Sequence, residues 1–467
     1  MERKLIRFFI LGYLLTFPFG QLARLPIEVF GPQIRVYLGD VLVFLAVGIW
    51  GIWRLRGRKA VQGEKPPLSG PILAFAAAAA FSLLVNLPRL AAGETLIAGF
   101  YLLRWVTYSG LYFVVWDIKK IQSNQNPKLL TSHPKPRASL GFGAGFSLLN
   151  LLMLVGGLAA TFGLLQYFWF PDLRTWLESQ NWDPHYYRAY GTFFDPGFLG
   201  IIMVLTLILV TEKILNPNKV KHTIYYLLLL VCYLALALTY SRASYLAFLA
   251  GMGVIAWRLK KPKFFAGVLG VFLLTILLLP RPGGEGVRLE RESTVEARIR
   301  NWKQSLVIAK DHFLFGVGFN SYRYSQRDYG FLAEDTWQET HAGAGADSSL
   351  LFVLATTGIV GLTAYLLFLK KILHTTYYIP HTRGSLAVFA SLTAVLAHSF
   401  FLNSLFYPWV MGWMFLLLGS SEPKSSDSVK NSLGLRILVL LNFLRVNKSL
   451  SPVVKISALP KKQRSNI

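Results

Sequence analysis

The chain reads as all-α: a polytopic integral membrane protein of about twelve transmembrane helices, with a helical extracytoplasmic loop domain between helices 9 and 10. Three observations predict it. Of 467 residues, 54% are hydrophobic and only 15% charged, with a mean hydropathy of +0.45, more apolar surface than a soluble core of this length needs. Apolar runs long enough to cross a hydrocarbon core recur at about 5–23, 36–53, 70–87, 97–116, 140–165, 196–212, 223–240, 243–257, 264–280, 348–369, 384–402 and 405–419. The basic residues between them then alternate in the way that fixes orientation.

With the N-terminus placed in the cytoplasm, 32 of the 48 Lys+Arg fall on the inner side, so both termini are expected inside a multi-pass cytoplasmic membrane protein. The formal charge of +25 is therefore a topology signal and does not point to nucleic acid. The first apolar run, after a basic start, reads as the first span, because no small-residue cleavage site follows it. The single cysteine, Cys232, lies in an apolar run and excludes disulfides and Cys-based metal sites. No Walker motif, GxGxxG or zinc-type spacing occurs, so no nucleotide, metal or other cofactor is expected.

The residue type of the cations says more than their number. Lysine outnumbers arginine 21 to 11 on the inner side, whereas 14 of the 16 outer or intramembrane cations are arginine. Two readings of that bias stand: arginine tolerates the headgroup region, or its rigid fork of donors serves a surface that handles phosphate or carboxylate groups. Within the spans, Asp40 and Arg104 are expected to form an ion pair, since each alone would be costly in hydrocarbon.

Two outer segments are long enough to fold over the membrane. The first, 166–197, is rich in Trp and Tyr and ends in RAYGTFFDPG with Arg188 and Asp195; its aromatics suit an interfacial belt or sugar-stacking platforms. Next comes TYSRASYLAFLAG, where Ser241 is placed to cap a helix that begins at Arg242. A guanidinium beside the positive end of a helix either binds an anion or reaches out to the membrane surface.

The second outer segment, 281–346, carries Ser293 and Glu296 in capping-box spacing, which predicts a helix to about Asp311. Val295, Ile299, Trp302, Leu306 and Ala309 fall on one face, expected to lie against the membrane domain. Arg298 stands at the edge of that face and Arg300 opposite. His341 and Asp347 follow, and Asp347 is either a helix cap or a functional carboxylate. Residues 1–280, 281–346, 347–420 and a basic cytoplasmic tail, 421–467, make the expected organisation. Within the tail, LGLRILVLLNFLRV is too short to span and is expected on the inner membrane surface.

RAYGTFFDPGFLG, TYSRASYLAFLAG, EARIRNWKQSLVIAKDHFLFGVGFNSY and ADSSLLFVLATTGIVGLTAYL, with the long loop between the ninth and tenth helices, together resemble the O-antigen ligase and O-antigen polymerase family of bacterial membrane glycosyltransferases. The resemblance implies an enzyme that moves a glycan from a polyprenyl-diphosphate-linked donor to a glycan or lipid acceptor outside the cytoplasmic membrane, without nucleotide or metal. It implies diphosphate contacts from Arg242, in the SR motif, and Arg298, four residues before Trp302. Arg188 and Trp302 complete the expected substrate-binding set. Ligases of the family carry a histidine eleven residues before the glycine that is Gly358 here; this chain has Asp347 there and its nearest histidine at His341. Either is the expected base. The alternative is a transporter or flippase of polysaccharide precursors or small anions, for which twelve helices are a common plan.

Overall fold

A computed structural model describes residues 2–26, 35–56, 65–125, 147–179, 182–215, 222–333, 337, 345–378 and 385–421, and among these the regular structure is helical. The α-helices are α1 Glu2–Thr16, α2 Leu38–Leu55, α3 Ser69–Val85, α4 Ala92–Gln125, α5 Leu148–Trp169, α6 Arg174–Ser179, α7 Pro196–Leu215 and α8 His222–Leu238. They continue as α9 Arg242–Arg258, α10 Pro262–Leu278, α11 Ser293–Asp311, α12 Tyr322–Asp328, α13 Ser349–Tyr378, α14 Ser385–Ser399 and α15 Pro408–Ser420. Among the described residues the apolar runs overlap α-helices, while α6, α11 and α12 lie outside those runs. The stretches 2–23, 38–55, 148–169, 196–215 and 349–377 are long and apolar enough to cross a membrane, and five shorter apolar helices accompany them. The chain is thus a helical membrane protein.

Some boundaries differ from the expected ones. The first run is α-helical only to Thr16, where Pro18 enters and a 3-10 segment takes over to Ala23. The fourth helix, α4, extends well past residue 116, to Gln125.

In lipid, helices associate through close packing and polar contacts rather than through water expulsion, and the interior shows both. A Cβ on Gly156 would come 1.9 Å from the Thr206 hydroxyl, so glycine lets α5 and α7 approach. Asp40 and Arg104 form the expected ion pair at 2.7 Å. Tyr108 donates to the other carboxylate oxygen of Asp40 at 2.9 Å. Around them, α9 packs on α14 and α7, α15 on α4, α13 on α3, and α11 on α13.

The break inside α13 positions the loop end of the bundle. Gly358 has φ +64° and ψ −168°, which interrupts the helix after residue 357. The gap admits the chain between α11 and α12: Val317 N–H and Gly318 N–H donate to the carbonyls of Ala355 and Thr356 at 3.0 Å, and Ile359 N–H to Phe313 at 2.8 Å. A Cβ on Gly358 would sit 2.2 Å from the Leu314 carbonyl oxygen.

Two local expectations for α11 are corrected. Its first helical residue is Ser293, whose hydroxyl donates to Glu285 at 3.1 Å, so no capping box forms. The face turned into the protein is Asn301, Ser305, Ile308 and Ala309, while Val295, Ile299 and Leu306 are exposed. The polar stripe faces inward because partners await it there: Asn301 and Ser305 bond to Gly345 and Tyr322.

Candidate functional site

Stretches far apart in the chain converge at the loop end. The RAYG turn is pinned by its own backbone: Ala189 N–H donates to Leu238 at 2.7 Å, and Tyr190 and Gly191 N–H donate to the Gln166 side-chain oxygen at 3.0 and 3.1 Å. This holds Arg188 against the start of α9, where its Nε donates to the Thr239 carbonyl at 2.9 Å. Ser241 caps α9 as expected, its Oγ accepting from Ser244 N–H. Arg242, the first residue of that helix, donates through one Nη to the carbonyls of Leu289 and Arg291 at 3.1 and 3.0 Å. Its other Nη is buried and has no hydrogen-bond partner.

Arg298 lies on the inward side of α11, over the Phe401 ring at 5.7 Å. It is within electrostatic reach of Asp347, Arg242 and Asp195. Trp302 stands one turn on, 6.2 Å from the same ring, with a buried and unpartnered indole N–H. Asp347 precedes α13. Its backbone N–H donates to Asn301 Oδ1 at 2.8 Å, so α11 sets the position of both Arg298 and Asp347. The first turn of α13 is closed by Phe352 N–H, which donates to the Ser348 carbonyl at 2.8 Å. Arg300 points away and pairs loosely with Glu296 at 3.9 Å, both side chains about two-thirds exposed. His341 lies outside the described residues.

The structure adds residues that sequence reasoning passed over. Arg291 donates to the carbonyls of Gly286 and Arg288 at 2.9 and 2.7 Å and adds a fourth guanidinium to Arg188, Arg242 and Arg298. No periodicity marks a loop arginine, so the signal was only its place among the outer arginines. His398 of α14 is fully buried, 3.1 Å from Ser244 Oγ and 2.6 Å from Ser404 Oγ. Leu405 N–H in turn donates to Ser349 Oγ at 3.1 Å, so one polar chain links the first turns of α9 and α13. A lone histidine in an apolar run was the visible signal. Asp195 caps α7, accepting from Phe198 N–H at 2.8 Å, which occupies it structurally.

Burial and crowding of like charge set the electrostatics. Burial, then Arg291, push the Arg188 guanidinium down to about 9. Burial, then Arg242 and Arg298, bring Arg291 down to about 10. Burial likewise lowers Arg298, with Asp347 opposing. All remain cations at neutral pH. On the acidic side, burial raises Asp347 to about 6 against the pull of Arg298, and raises Asp195 and Asp183. His185 is held neutral by burial and by Arg188 and Arg291. Cations held this closely in low dielectric favour a multiply charged anion with several acceptor oxygens, and a carboxylate stands beside them.

No curated protein matches the chain. Residues 226–366 match the family model described as O-antigen ligase, which supports glycan transfer at the level of the family. That matched segment, which carries Arg242, Arg291, Arg298 and Asp347, is similar to the O-antigen ligase family.

Proposed function

We propose that the protein transfers a glycan from a polyprenyl diphosphate carrier to an acceptor hydroxyl at the outer face of the cytoplasmic membrane. The observation that supports this reading is the setting of Arg298, which lies within electrostatic reach of both Arg242 and Asp347, so a cluster of guanidinium groups and a carboxylate share one neighbourhood. Transfer proceeds by one displacement at the anomeric carbon. The acceptor oxygen forms its bond to that carbon as the bond to the diphosphate oxygen breaks, and the electron pair leaves on the diphosphate.

The free Nη of Arg242, with Arg298, meets the charge that grows on the leaving group, while Arg188 and Arg291 deepen the positive field behind them. Asp347 takes the proton of the attacking hydroxyl. A carboxyl raised to about 6 is mostly ionised at neutral pH yet more basic than an ordinary aspartate, which suits a general base. Trp302 holds a sugar or the diphosphate through its free indole N–H. His341 is the second choice of base.

Purified wild type, Arg242→Ala, Arg298→Ala and Asp347→Asn are incubated with a polyprenyl-diphosphate-linked oligosaccharide and hydroxyl acceptors, with chelator and no nucleotide. Transfer by wild type and its loss in all three variants is expected. Loss in the arginine variants alone moves the base to His341. A wild-type protein that transfers nothing, yet drives counterflow of a small anion in vesicles, is a transporter.

A further inference from the structure

An ionisable side chain inside an apolar span is costly unless its polar atoms find partners, and LTAVLAHSFFLNS places His398 in the last turn of α14. The ring is fully buried and both nitrogens are engaged: Nε2 lies 3.1 Å from Ser244 Oγ and Nδ1 2.6 Å from Ser404 Oγ. A neutral imidazole carries one N–H and one lone pair on diverging atoms. In either tautomer, then, one serine donates to the ring and the other accepts from it.

Neither serine depends on the ring for a partner. Ser244 Oγ can donate to the Gly197 carbonyl at 3.2 Å or to Ser241 Oγ at 2.9 Å, and Ser404 Oγ to the Leu402 carbonyl at 3.4 Å. An apolar ring of similar size would leave both hydroxyls bonded. What the imidazole alone supplies is a connection between elements. Ser244 belongs to the Ser241 cap from which Arg242 starts α9. Ser404 lies in the turn whose Leu405 N–H holds Ser349, two residues after Asp347, at 3.1 Å. The His398 carbonyl accepts from Phe401 and Leu402 N–H at 3.0 and 3.1 Å, which shapes the turn that brings Phe401 under Arg298. One residue thus touches the supports of Arg242, Asp347 and Arg298.

We infer that His398 is a positioning residue: by bridging Ser244 and Ser404, its ring holds the starts of α9 and α13 in register and so fixes Arg242 relative to Asp347. This rests on the glycan-transfer reading for what the register serves. In this role His398 neither touches substrate nor takes its proton.

The test compares full-length wild type, His398→Phe, Ser404→Ala and the double variant in nanodiscs, with a polyprenyl-diphosphate-linked oligosaccharide and hydroxyl acceptors. For His398→Phe, kcat is expected to fall about 100-fold, with donor KM within about threefold and the thermal midpoint within about 4 °C of wild type. Ser404→Ala cuts the same link from its other end, is expected to show the same pattern, and decides the matter should His398→Phe fail to fold. The double variant is expected to lose no more than His398→Phe alone. A kcat near wild type, a loss matched by the fall in folded protein, or losses that add in the double variant overturns the inference. So does disappearance of the acidic limb near pH 6 in His398→Phe, which would make the ring itself the titrating base. A readout that needs no turnover is the distance distribution between spin labels on Leu246→Cys, at the exposed side of α9, and Leu354→Cys on α13. It is expected to broaden in His398→Phe, and an unchanged distribution overturns the register. A broadened one in a protein whose wild type transfers nothing retires the transferase reading and leaves the register standing.

Discussion

In the proposed mechanism Asp347 is the residue at which activity and stability pull in opposite directions. Its folded-state value, about 6, lies above the ordinary 3.8, so the folded chain holds the proton more tightly across that interval. The stability this group contributes is therefore complete below about pH 4 and is lost as pH rises through about 6. Asp347→Asn imitates the protonated carboxyl. It is expected to unfold at a higher temperature than wild type at about pH 7.5, by about 1–3 kcal/mol, and at the same temperature at about pH 4. Thermal unfolding in detergent reads both. In the wild type, kcat/KM is expected to fall as pH drops through about 6, approaching tenfold per unit, and a flat profile would remove Asp347 from the base role. The sequence offered Arg188, Arg242, Arg298 and Asp347 because each sits at a recognisable helix start, turn or helix edge. Arg291 and His398 stayed hidden, since what distinguishes them is the other residues they meet.

Among the elements, α11 shows where periodicity misleads. Apolar residues were assigned inward, the right rule in water and the wrong one beside lipid or over a polar site, where the inward face is the one with hydrogen bonds to make. The two orientations predict different mutants. Ile308, fully buried, is expected to lose about 2–4 kcal/mol on Ile308→Ala, whereas Leu306, half exposed, loses less than about 1 kcal/mol on Leu306→Ala, by the same unfolding assay. The reverse order would restore the original face. At the break in α13, Gly358→Ala places a methyl against the Leu314 carbonyl and forces a left-handed φ on an alanine, at an expected cost of about 2–4 kcal/mol. Where GIVG occurs was legible in the sequence; that it opens a gap for another segment was not, because the partner lies some forty residues away.

For the molecule as a whole, the distribution of lysine and arginine predicts which loops share a side. Cys232 is buried, so single cysteines introduced elsewhere can be read against a nearly silent background. Ser293→Cys is expected to react with an impermeant maleimide in cells whose cytoplasmic membrane is intact, and Lys261→Cys only after lysis; the opposite result would invert the protein. The helical membrane character was legible because hydrocarbon demands long apolar runs, while the convergence of 188–195, 241–244, 291–302 and 347–349 depends on tertiary packing that no local pattern encodes. One consequence of the interrupted α13 concerns counting. Residues 349–357 form a short rod clamped at both ends, by Ser349 against the 402–405 turn and by Gly358 against the crossing segment. Such a rod is a ruler: one residue inserted within it swings Asp347 by about 100° and moves it about 1.5 Å. A single-alanine insertion after Val353 is therefore expected to abolish transfer even though every side chain named above remains, so it is the eleven-residue interval itself that the fold measures.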